Sequence, residues 1–99
     1  MNYLHPFIQV MLDEEMKHAL EKHPKWPTDP IHAAMVIAEE AGEVMKAVNE
    51  AVYEDGAFEE VHSEVIQTMV TCIRFLNSIE EYAWSRSEQH VQTVHDDNT

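Results

Sequence analysis

The stretch 35-MVIAEEAGEVMKAV-48 decides how this chain folds. Projected at 100° per residue, it and its flanks make a helix that is apolar on two sides. Ile31, Ala34, Ala38, Ala41, Met45, Val48 and Val52 form one stripe, and Val36, Val44, Ala47 and Ala51 form another. The polar sector between them is narrow and holds His32, Glu39, Glu43, Lys46 and Glu50. Glu40 falls outside it, with Val36, Val44 and Ala47 as its helix neighbours. A helix apolar on most sides is normally surrounded. Three helices of one short chain do not easily surround it, so the pattern predicts self-association into a larger bundle.

The rest of the chain reads as helix on either side. Asp29-Pro30 is an N-cap and first-turn pair that starts the central helix, and "YEDGAF" ends it near Tyr53, with Gly56 as the turn residue. An earlier helix is predicted from about Pro6 to Lys22, with Phe7, Ile8, Met11, Leu12 and Ala19 on one side. Glu15 falls on that same apolar side, which is unexpected for a surface acid. "HPKWPTDP", with Pro24, Pro27 and Pro30, predicts a stiff connection. A third helix is predicted from about Ala57 to Trp84. Its apolar arc is Val61, Val65, Met69, Cys72, Ile73, Leu76 and Ile79. Its polar stripe is Glu60, Glu64, Gln67, Thr71, Arg74 and Ser78. The expected organisation is one all-α domain over residues 1–87 and a polar tail over residues 88–99, removable without loss of folding or activity.

Composition narrows the function classes. The chain has 99 residues, 44% of them hydrophobic, with only 2 Gly and 4 Pro, which suits one folded helical domain. Six Lys and Arg against 19 Asp and Glu give a formal charge of -13. A nucleic-acid polymer is therefore not an expected partner. An acidic chain that binds phosphates needs cations to bridge the like charges. The single cysteine, Cys72, rules out an internal disulfide and reads as core filler. The start lacks the basic region of a signal peptide and no apolar run spans a bilayer, so the expected location is cytoplasmic, with no membrane.

The acids carry the chemistry. A carboxylate on an apolar side must be paired, protonated or metal-bound. Glu40 and Glu43 are i,i+3 neighbours, as are Glu64 and Gln67. If the second and third helices pack antiparallel, the two pairs face each other. Oxygen ligands without cysteine suit Mg²⁺ or Mn²⁺ better than zinc.

This constellation, "EEAGE" at 39–43 followed after twenty residues by "EVIQ" at 64–67, resembles the EExxE…ExxD signature of the MazG-like, all-α nucleoside triphosphate pyrophosphohydrolases. The Lys25-Trp26 pair in the preceding loop and the apolar "AEEAGEVMKAV" context agree with it, over roughly Pro6 to Tyr82. Gln67 departs from the pattern, standing where the family usually has Asp. The resemblance implies Mg²⁺ or Mn²⁺ held by Glu40, Glu43, Glu64 and Gln67, and Glu39 and Glu40 as the catalytic acids. It also implies a nucleoside triphosphate substrate and a homotetramer. Lys25 and Trp26 would meet phosphate and base, unless the Trp26 loop is only a lid on the core. Arg74 would reach substrate phosphate or pair with an acid. Two rivals remain. Glu15-x-x-His18 and Glu59-x-x-His62, with Glu40 and Glu43, imitate a di-iron carboxylate bundle. A non-catalytic helical adaptor is favoured by Gln67.

Overall fold

In a computed structural model, which describes residues 3–85, the chain is all-helical with no strand among the described residues. Helix α1 spans Pro6–Lys22, α2 Pro30–Tyr53 and α3 Phe58–Asn77. The caps are local chemistry. His5 Nδ1 accepts from the Phe7 N–H at 3.1 Å, and Asp29 Oδ1 accepts from the Ile31 N–H at 3.0 Å. Pro6 and Pro30 take first-turn positions, where a missing N–H costs nothing. After Tyr53 the left-handed residue is Asp55, with φ 58°, not Gly56. Gly56 serves a different need. Its N–H reaches the Glu50 carbonyl at 2.8 Å, and a Cβ there would meet the Glu50 backbone at 3.0 Å.

Helix α3 is central. Both α1 and α2 pack on it, while α1 and α2 do not pack on each other among the described residues. Leu12, Ile66 and Val70 form the buried centre, bounded by Ile8, Met11, Met16, Ala19 and Met69. Buried Ala33 and Ala47 mark the face of α2 that lies on α3. Their small side chains permit close approach of the helices, and the half-buried Val36, Val44 and Ala51 extend that face. Of the two stripes on α2, this is the second. The first is left open, with Met35 beside it: Met35 is 57% exposed, Met45 59% and Val52 63%.

Helix α3 departs from its predicted orientation and length. None of the seven residues of its expected apolar arc is buried; Val65, Leu76 and Ile79 are exposed. The buried stripe is Ile66, Val70, Thr71 and Arg74. Two polar residues are tolerated inside because each has a partner: Thr71 Oγ1 donates to the Gln67 carbonyl at 3.0 Å, and Arg74 donates to the His23 carbonyl at 2.8 Å. Thus Cys72, half-buried, lines an open apolar groove with Val44, Met45, Val65, Met69 and Ile73 instead of filling the core.

The helix also ends at Asn77, not near Trp84. The Ser78 N–H closes the last turn, a 3₁₀ turn follows over Ile79–Glu81, and the chain folds back. Its anchor is Tyr82, which is buried, accepts from Trp26 Nε1 at 2.6 Å and donates to the Phe75 carbonyl at 3.1 Å. Continued helix would carry Tyr82 away from the proline loop. The expected tail at 88–99 lies outside the described residues.

Candidate functional site

An open cleft of about 450 Å³ lies where α1 and α2 diverge over α3. Helix α1 contributes Glu15, His18 and Lys22, α2 contributes Val36 and Glu40, and α3 contributes Gln67, Thr71 and Arg74. His23, Lys25 and Trp26 of the loop close one end. Of the site residues expected from the sequence, Lys25, Trp26, Glu40, Gln67 and Arg74 line this cleft, whereas Glu39, Glu43 and Glu64 are not part of its lining. The sequence reading missed Lys22, and placed His18 only in the rival di-iron pattern. Their signal was present: Glu15, His18 and Lys22 recur at i+3 and i+4, so the acid that sat oddly on the apolar side of α1 heads a stripe facing the cleft.

Glu40 sits half-buried on the face of α2 that packs on α3. Burial raises its carboxyl above the ordinary value of 4.5, and the charges of Glu64, Glu43, Glu15 and Glu39 raise it further, in that order. The Glu64 carboxyl is raised too, by burial and then by Glu43 and Glu60, against the opposing pull of Lys46. Glu40, Glu43 and Glu64 thus form one electrostatic group across α2 and α3. Glu39 and Glu43 are exposed. Gln67 spends an amide N–H on Ser63 Oγ at 3.2 Å.

In chemistry this donor set fits a hard divalent cation: the donors are oxygens only, and the mutual repulsion of the acids is what a cation relieves. In position the side chains stand apart, since among the described residues no three His, Cys, Asp or Glu are grouped to hold a metal ion. The residues of the rival di-iron pattern are also spread out. Glu15 and His18 line the cleft, Glu59 is exposed, and His62 lies in a second apolar groove with Ile8, Val48 and Met69. Among the described residues no hydrogen-bond partner meets the buried His62 Nδ1.

Arg74 pairs with no acid among the described residues. It is only 8% exposed, and its guanidinium lies 4.8 Å from the centroid of the Trp26 ring while holding the His23 carbonyl. With Tyr82 on the indole N–H, Trp26 is fixed both across its ring and at its edge. The loop is thus clasped to the end of α3, and Trp26 is a rigid wall of the cleft.

No family model, curated protein or solved structure matches this chain. No helix among the described residues is long and apolar enough to cross a membrane.

Proposed function

We propose that the chain is a metal-dependent nucleoside triphosphate pyrophosphohydrolase of the MazG-like, all-α kind, acting in the cytoplasm as a homotetramer. The observation that carries this reading is the single cleft in which Glu40 and Gln67 share a wall with Lys25, Trp26 and Arg74. The reaction is attack of water on the α-phosphorus, with cleavage of the bond to the oxygen bridging the β-phosphate, giving the monophosphate and pyrophosphate. Glu40, Glu43, Glu64 and Gln67 would hold Mg²⁺ or Mn²⁺, which would supply charge neutralisation and acidify the water. Glu40, half-buried in the cleft wall, would hold the cation from inside the protein, and the crowding of acids around it is what a cation offsets. Glu39, exposed beside it, orients the water. Lys25 meets phosphate, and Trp26 gives the nucleotide a flat, fixed surface. Positioning and electrostatics dominate, with no covalent intermediate.

Purified protein screened against ribo- and deoxynucleoside triphosphates with Mg²⁺ or Mn²⁺ is expected to release pyrophosphate from at least one of them. Release from none leaves the adaptor reading, which Gln67 in place of the usual Asp keeps open. Iron content with oxygen-dependent absorbance indicates the di-iron reading.

Assembly is a separate expectation. The open stripe of α2 and the groove of about 540 Å³ beside Val65, Met69 and Ile73 leave apolar side chains in water that a second copy could cover. Light scattering at micromolar concentration should give a multiple of the 11.5 kDa chain. A well-folded monomer removes the oligomeric bundle.

A further inference from the structure

The cleft is polarised along its length. On α1, Glu15 and Lys22 are seven residues apart, and on α3 so are Gln67 and Arg74. At 1.5 Å per residue each interval is about 10 Å. Helices α1 and α3 run the same way, since Phe7 lies beside His62 and His23 beside Arg74. The two intervals therefore point the same way along the cleft. Glu15, Glu40 and Gln67 belong to one end. Lys22, Lys25 and Arg74 belong to the other, with His23 beside them. Three of the chain's six lysines and arginines converge at this end of one cleft, in a protein carrying a formal charge of -13. A cation at the end of α1 complements the helix dipole, which accounts for Lys22 alone. It does not account for Lys25 in the loop or for a buried Arg74.

From this juxtaposition we infer that the Lys22–Lys25–Arg74 end of the cleft is an anion site that takes a multiply charged phosphate group directly, without a bridging metal. Lys22 and Lys25 are exposed and supply the mobile ammonium groups. Arg74 is fixed, and its charge, held in a low-dielectric wall, is screened less by salt than theirs. The role of the site rests on the proposed hydrolase activity, in which it takes phosphate charge that the acids at the other end of the cleft repel. Anion binding itself does not depend on that reading.

The test is calorimetric titration of the full chain with inorganic pyrophosphate in EDTA. Saturable binding of one pyrophosphate per chain is expected. Lys22→Gln and Lys25→Gln should each weaken it about tenfold, the scale of one charge-assisted contact. Lys17→Gln, the same loss of charge on an exposed residue of α1 outside the cleft, should change it less than about twofold. No saturable binding in EDTA, or equal weakening by all three variants, overturns the site. Binding that needs Mg²⁺ and ignores Lys22→Gln also overturns it, because the phosphate then sits against the acids. Nucleotide hydrolysis is read separately. Pyrophosphate binding with no hydrolysis sinks the enzyme and keeps the anion site; hydrolysis with Lys22-independent pyrophosphate binding does the reverse.

Discussion

Glu40→Gln is expected to abolish nucleotide hydrolysis and, in the absence of metal, to leave the protein more stable than wild type at neutral pH. The loss of rate follows from the proposed role: removing one preorganised electrostatic group from such a site costs about 100-fold or more. The gain in stability follows from charge. The Glu40 carboxyl is raised by burial and by four neighbouring acids, and Glu64 is raised beside it. An acid whose affinity for protons is higher folded than unfolded destabilises the fold whenever it is ionised. That penalty is present in full above the raised value. It fades as pH falls through that value and is gone below 4.5, where the folded and unfolded groups are both protonated. The advantage of Glu40→Gln should therefore be largest near pH 7.5 and vanish below about pH 4.5. Urea denaturation in EDTA at both pH values measures it. A variant less stable than wild type at neutral pH would mean that Glu40 has a favourable partner in the folded protein.

The same acids predict the response to Gln67→Asp. A carboxylate there adds a stronger oxygen ligand for a hard cation and breaks the amide donation to Ser63. Titration with Mn²⁺ should show tighter binding than wild type, and weaker binding for Glu40→Ala. Equal binding by all three proteins removes the metal from the scheme.

Local chemistry made α1 and α2 legible from sequence, because caps and prolines act within a turn. Pro6, Asp29-Pro30 and the Tyr53 exit fall where the residues require them. The two stripes of α2 were also legible, since periodicity reports which sides avoid water. Periodicity does not report what covers a side, and here the chain covers one stripe and leaves the other open. On α3 the same ambiguity produced an error. The more apolar arc, with Val65 and Leu76, lies outward, while the stripe with Thr71 and Arg74 lies inward. No helical wheel foretells that, because it depends on the His23 carbonyl, 51 residues away in sequence, accepting from Arg74. The cleft shows a similar division. Glu40 was readable as an acid on an apolar side. Lys22 shares a helical stripe with Glu15 and His18, but that this stripe faces the cleft depends on α1 lying beside α3. The end of α3 was missed for the same reason, since Tyr82 answers to Trp26 and not to its neighbours in sequence.

Truncation tests that last contact with the largest expected change in stability. A chain ending after Ser85 should fold and melt as the full chain does. A chain ending after Asn77 should lose most of its cooperative unfolding, although both deletions remove mainly polar sequence. The difference lies in what residues 78–85 hold. Tyr82 stacks on Phe75 with ring centroids 5.0 Å apart, accepts from Trp26 and donates to the Phe75 carbonyl, and the Ala83 N–H reaches the Thr28 carbonyl at 3.3 Å. Loss of a buried aromatic alone costs about 3–5 kcal/mol. A small domain has only about 5–15 kcal/mol in total. Tyr82→Phe isolates the polar part, because it keeps the ring and leaves the Trp26 N–H and the Phe75 carbonyl without this partner. Its cost should be about 1–3 kcal/mol, or roughly 4–8 °C in Tm for each kcal/mol in a domain of this size. Thermal melts followed by tryptophan fluorescence resolve the series. If Tyr82→Phe and the Asn77 truncation both melt with wild type, then Trp26 is held by Arg74 alone, and the fold-back of the chain contributes nothing to the wall of the cleft.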